Sequence, residues 1–113
     1  MYEKYIDFEE GCKRLMNNKT LYKRLLLSHD QSNVAAALVE AINAGDSDEI
    51  SCAAHTLKGA ALNLSLTMVA QVSSLIEQRA KNGEAAVDLI NSLTAATEGT
   101  SKAIQSLIDY GQL

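Results

Sequence analysis

Proline is absent from this chain of 113 residues, and its aromatic side chains are limited to four tyrosines and one phenylalanine. With no proline and abundant Ala, Leu, Lys and Glu, the composition points to an all-helical protein rather than a sheet. So few rings leave the core to be built from aliphatic side chains. No apolar run approaches the roughly 18 residues needed to span a membrane. Basic clusters are missing too, and a formal net charge of −4 argues against a nucleic-acid partner, because phosphate contacts need a concentrated basic face. The two cysteines, Cys12 and Cys52, match no metal-ligand spacing. With no apolar N-terminal signal segment, they read as reduced thiols of a soluble cytoplasmic protein. A Gly-rich phosphate loop is also lacking, so nothing marks an ATP-binding unit.

What is present is helical patterning, with hydrophobic residues making up 47% of the chain. At this length residues 1–113 form one domain. Asp7 with Glu10 has the form of a capping box, which predicts a short helix from Phe8 to about Met16, broken by Asn17 and Asn18. A long helix is expected from about Thr20 to Ala44. Its apolar positions are Leu21, Leu25, Ala35, Val39 and Ile42, with Ser28 and Ser32 small enough for close packing. Gly45 suits a left-handed stop, and Asp46 with Glu49 opens a third helix to Leu64 or Ser65.

A fourth helix, Thr67 to Lys81, carries Met68, Val69, Val72, Leu75 and Ile76 on one face before the stop at Gly83. A last helix is expected from Glu84 to about Tyr110, burying Val87, Ile90, Leu93, Ile104 and Leu107, with Gly99, Thr97 and Thr100 weakening its middle. The expected fold is therefore all-α: an antiparallel up-down-up-down four-helix bundle with a short extra N-terminal helix.

The stretch "AAHTLKGAALNLS", residues 53–65, concentrates the chemistry. On a wheel of about 100° per residue, Ile50, Ala53, Ala54, Leu57, Ala61 and Leu64 gather opposite His55, which therefore points to solvent. Asp48, Ser51, Cys52, Lys58, Gly59 and Leu62 share its half. Gly59 costs about 1 kcal/mol of helix propensity relative to Ala, so a packing or access reason is needed for it. One turn beyond His55, it leaves the imidazole unshaded.

Neutral imidazole is nucleophilic near neutral pH, and Lys58 is placed to meet an incoming phosphoryl charge. Exposed Leu62 offers apolar area for a docking partner, and Cys52 and Lys81 are further docking candidates. The same residues are equally a chance surface His and Lys beside a glycine kept for close helix contact. The chain would then be a non-catalytic interaction module that binds a signalling partner through the face around His55 and Leu62. A metal-binding bundle is disfavoured, since neither histidine belongs to an inward Glu-x-x-His pair.

"AHTLKGAALNLS" resembles the signature of histidine-containing phosphotransfer (HPt) domains, His-x-Leu-Lys-Gly-x-x-x-x-x-Gly. "IDFEEGCKRLMNNKTLYKRLL" and "ALVEAINAGDSDEI" are similar to the segments that precede it in the family. The resemblance implies that His55 carries a phosphoryl group between receiver domains of a two-component phosphorelay, with Lys58 as the adjacent positive charge and Gly59 giving access. It also implies an orienting residue on the next helix, at Glu77, which shares a flank with Ala70, Ser73 and Lys81. From the residues alone, Glu77 reads instead as a solvated acid paired with Lys81.

The resemblance implies as partner a response regulator or receiver domain, that of a hybrid histidine kinase included. No cofactor is intrinsic to the chain, and Mg²⁺ is expected with the receiver. A monomer without autonomous kinase activity is expected, and the initial Met with a full helix set favours a free-standing protein. The sequence departs from the family pattern at three positions. Ser65 replaces the second glycine, so the turn there is expected to differ; His29 stands where an aromatic is common and reads as a core-edge residue; and residue 77 is an acid rather than an amide.

Overall fold

The computed structural model describes residues 2–28 and 31–113, and among these there are six α-helices and no strand. They are α1 (Phe8–Arg14), α2 (Lys19–Ser28), α3 (Gln31–Ala44), α4 (Ser47–Asn63), α5 (Thr67–Lys81) and α6 (Ile90–Asp109). Short 3-10 turns at Tyr2–Lys4 and Val87–Leu89 precede α1 and α6. α3 packs on α4, α4 on α5, α5 on α6, and α6 returns to α3. Short turns between successive helices make these neighbours antiparallel, so the four close as an up-down-up-down bundle.

The helix starts follow from local chemistry. Asp7 accepts a hydrogen bond from the Glu10 backbone N–H, and Asp46 accepts from the N–H groups of Asp48 and Glu49, relieving donors that a helix N-terminus leaves unpaired. Gly45, at φ +82°, takes the left-handed stop between α3 and α4. The region expected as one helix from Thr20 to Ala44 is described as two, α2 and α3. His29 and Asp30 lie outside the described residues, and so does the reading of His29. The buried face is Tyr22, Leu26, Ala35, Leu38 and Ile42, while Leu21, Leu25 and Val39 are only half-buried. Ser28 is exposed, its hydroxyl donating back to the Leu25 carbonyl at 3.1 Å, instead of packing in an interface.

α5 spans the expected residues, but Leu75 projects into solvent at its edge. α6 starts six residues later than expected. Arg79 donates to the Ala85 carbonyl at 3.1 Å and to Asp88 at 2.6 Å, across a connection made of a turn, three irregular residues and the 3-10 turn, in which Val87 is exposed. Leu93, Ile104 and Leu107 are buried as the periodicity requires. Thr97 and Thr100 do not break α6. Both hydroxyls donate back to its own carbonyls, at Leu93 and Ala96 among others, so these buried groups are satisfied inside the helix.

The N-terminal segment clasps one end of the bundle. Tyr22 is fully buried, and its hydroxyl donates to the Leu64 carbonyl at 2.6 Å, at the turn joining α4 to α5. Ser65 in that turn adopts φ +56°, so the left-handed conformation expected of a glycine is kept by a serine. The Asp7 N–H donates to the Ser65 carbonyl and the Ser65 hydroxyl to Glu10, at 2.9 and 3.1 Å. These contacts tie the start of the chain to the turn that sets α5 beside α4.

Candidate functional site

α4 presents one apolar side and one open side. Ile50, Ala54, Leu57, Ala61 and Leu64 are buried, whereas Cys52, His55 and Leu62 are exposed. The His55 side chain is 69% exposed and stands over α5. Its Nδ1 lies 2.9 Å from Oε2 of Glu77. An ionised carboxylate can only accept, so Nδ1 is the donor in this contact, and in the neutral ring Nε2 is then the nitrogen that holds the lone pair.

Glu77 is not the solvated acid that its polarity alone would suggest. α5 lies between α4 and α6 and is buried over a wide arc including Val69, Ala70, Val72, Ser73, Ile76 and Ala80, which takes Glu77 with it. Three groups converge on its carboxylate. Lys58 donates to Oε1 at 2.5 Å, His55 to Oε2, and the Lys81 ammonium stands 3.4 Å from Oε2. The Lys58 hydrogen bond, with smaller help from His55 and Lys81, holds the carboxyl down at about 2 against the opposing effect of burial. Two ammonium groups thus face the one carboxylate. The acid at this position therefore does not present an uncompensated negative charge to an incoming phosphoryl group.

Gly59 has open space where a side chain would begin: beyond the adjoining residues and backbone of its own helix, no atom lies within 4 Å of the place a Cβ would take. Leu62 borders an open depression together with Lys58, Thr67, Ala70, Gln71 and Ser74. Gln71 and Ser74 escaped the sequence reading because they come from α5, and a wheel drawn on α4 cannot show what its neighbour contributes. Cys52, one turn before His55, is exposed, while Cys12 is buried and its thiol is pushed up by that burial. The Ser73 hydroxyl, one turn before Glu77, is buried without a hydrogen-bond partner.

Among the described residues no group of three or more His, Cys, Asp or Glu side chains is placed to hold a metal ion. The one buried carboxylate at the site is already occupied by two ammonium groups, a poor donor set for Mg²⁺. Among the same residues, no helix is long and apolar enough to cross a membrane.

Comparison with known proteins yields no match among curated proteins and none among solved structures. A family model described as "Hpt domain" matches residues 25–109, from the end of α2 through α6, which includes every residue of the His55 cluster and excludes most of the N-terminal clasp. An exposed histidine on a four-helix bundle and this match over most of the chain agree: the protein belongs to the Hpt domain family.

Proposed function

We propose that this protein is a phosphorelay intermediate in which His55 accepts a phosphoryl group from a receiver-domain aspartate and passes it to an aspartate of the same or another receiver. Membership of the Hpt family supports histidine phosphotransfer as the general activity. The observation that carries the assignment to His55 is its hydrogen bond to Glu77. This contact favours the tautomer with its proton on Nδ1, in which Nε2 is the free nitrogen, on a side chain 69% exposed.

In the forward step the Nε2 lone pair forms the bond to phosphorus. The phosphorus–oxygen bond to the aspartate breaks, with its electron pair leaving on the receiver's carboxylate. The ring keeps its Nδ1 proton and becomes a phosphoimidazolium facing the Glu77 carboxylate. Lys58 and His55 share the Glu77 carboxylate; in the step Lys58 turns from it toward the phosphoryl oxygens, and catalysis is positioning and charge compensation.

Gly59 leaves the approach open, and Leu62 and Cys52 provide docking area around it. Mg²⁺ belongs to the receiver's acidic site, and the relay protein acts as a cytoplasmic monomer without kinase activity of its own. The partner is a response regulator or the receiver domain of a hybrid kinase.

The test is transfer from a panel of receiver domains charged with a small-molecule phosphodonor and Mg²⁺, comparing wild type with His55→Gln. An acid-labile label on wild type and none on the folded variant is the expected result. Label retained by the variant would move the site to another residue. Binding that survives His55→Ala, with no transfer to wild type from any receiver, would favour a non-catalytic interaction module.

A further inference from the structure

The chemistry proposed for His55 gives Lys81, read from the sequence only as a docking candidate, no part in the transfer step. This lysine ends α5 and folds back at i,i+4 to bring its ammonium 3.4 Å from Oε2 of Glu77, while Lys58 reaches Oε1 from α4. The Glu77 side chain is 5% exposed, against 64% for Lys81. A carboxylate this deep needs a countercharge at every stage, because leaving a buried charge unpaired is costly. Lys58 cannot supply it throughout if it is also to meet a phosphoryl group on Nε2. An amide at position 77 would need no countercharge, so the second lysine matters because this residue is an acid.

We infer that Lys81 is a positioning residue for phosphotransfer, holding the Glu77 carboxylate in place while Lys58 turns from it to the phosphoryl group on His55. This rests on the reading of His55 as the phosphorylated residue. During the step no proton leaves the site. The ring becomes cationic opposite Glu77, Lys58 compensates the arriving phosphoryl charge, and Lys81 remains on Oε2. Without Lys81, Lys58 is the carboxylate's one remaining ammonium partner and is released less readily.

The experiment uses phosphoramidate, a small donor that reaches the imidazole without any docking surface. Nε2 attacks phosphorus, and the phosphorus–nitrogen bond breaks with its electron pair on the departing ammonia. Rates of His55 labelling are compared for wild type, Lys81→Met, Lys81→Arg, Glu77→Gln and the Glu77→Gln/Lys81→Met double variant, with folding checked by circular dichroism. Lys81→Met is expected to slow labelling by about threefold to fivefold when Glu77 is present and by less than about twofold when residue 77 is glutamine, the signature of coupling between the two positions. Lys81→Arg should restore the rate, and the deficit should shrink as salt rises.

Equal slowing in both backgrounds, or no slowing in either, overturns the inference. So does a deficit seen with receivers but not with phosphoramidate, because Lys81 would then be acting in docking alone. If Glu77→Gln fails to fold, the contrast between Lys81→Met and Lys81→Arg in the wild-type background still decides. Absence of transfer from receivers to wild type, alongside an intact coupling with phosphoramidate, would defeat the proposed function and leave the Lys81–Glu77 coupling standing.

Discussion

Two helical glycines show how differently the N-terminal clasp and the His55 face of this molecule use the same residue. Gly11, in α1, lies against the ring of Tyr22, and any Cβ there would collide with the ring and its hydroxyl. Gly59, in α4, has nothing within 4 Å of the same position. At the clasped end a missing side chain is filled by a neighbour, which compensates the conformational freedom that glycine loses on folding. Beside His55 it is filled by nothing in the chain. Folding explains the first glycine. Packing gives no reason for the second; under the proposed function the reason is the approach of a phosphoryl group to His55, so an open position on a helix says more about function than a packed one.

The largest effect expected from testing this contrast is at the clasped end. Tyr22 cannot move aside from a new methyl group: it is fully buried, its hydroxyl is held by the Leu64 carbonyl, and the Phe8 ring lies 6.1 Å from its own. Gly11→Ala should therefore destabilise the fold by roughly 2–3 kcal/mol, in the range of overpacked cores. Urea denaturation measures it, and a loss below about 0.5 kcal/mol would mean that α1 is free to shift away from Tyr22.

At the open face around His55 the energetics are those of charge rather than shape. The Glu77 carboxyl is depressed to about 2 from an ordinary 4.5. A group depressed in the folded state contributes stability that is fully present above its unfolded value and is lost as pH falls through the folded one. The contribution of Glu77 is thus intact above about pH 4.5 and disappears between there and about pH 2. Solvent reaches both lysines, which reduces the effect below that of the packing clash. Comparing wild type with Glu77→Gln by denaturation at about pH 6 and about pH 3 should show the variant less stable at the higher pH and the gap narrowing at the lower. A gap independent of pH would mean that the carboxylate's charge is not what holds the cluster.

Much of this arrangement was legible in the sequence, and the misses have physical reasons. The bounds of α4 and α5 and the outward direction of His55 came from Gly45, Asp46 and the spacing of apolar residues, all of which act within one or two helical turns. The late start of α6 was not legible, because it depends on Arg79 gripping Ala85 and Asp88 from the preceding helix. Tyr22 was missed as a core residue because the space that receives it is made by a glycine in α1 and a carbonyl at the far end of α4. Glu77 was misjudged from its own helix for a related reason. A wheel shows which residues share a flank, but not that a neighbouring helix buries that flank and brings a lysine to it.

Gly59→Ala sharpens the contrast from the other side. With open space at the new Cβ and ordinary helical backbone, the change should stabilise the protein by about 0.5–1 kcal/mol, the helix-propensity gain of Ala over Gly. Labelling of His55 should slow at the same time, because the methyl group stands on the approach to the imidazole. Thermal melting and transfer rates on the same samples separate the possibilities. A stabilised variant with an unchanged rate would remove access as the reason for the glycine, whereas a destabilised one would show that a contact fills the space.

The smallest effect is expected at Ser65, which keeps the left-handed turn from α4 to α5 inside the clasp. A non-glycine residue in this conformation costs roughly 1–2 kcal/mol, and Ser65→Gly would relieve that. The same change removes the hydrogen bond from the Ser65 hydroxyl to Glu10, of about 1 kcal/mol, and adds freedom to the unfolded chain of about 0.4–1 kcal/mol. These terms oppose one another, so the net change should stay within about 1 kcal/mol. The Asp7 N–H to Ser65 carbonyl bond uses only backbone and should persist, leaving the turn and the placement of Glu77 beside His55 unchanged. Denaturation reads the first expectation and His55 labelling the second. A large loss of stability would make the Glu10 contact the main fastening of the clasp, and a slowed transfer with stability unchanged would show that the serine holds α5 in register with α4.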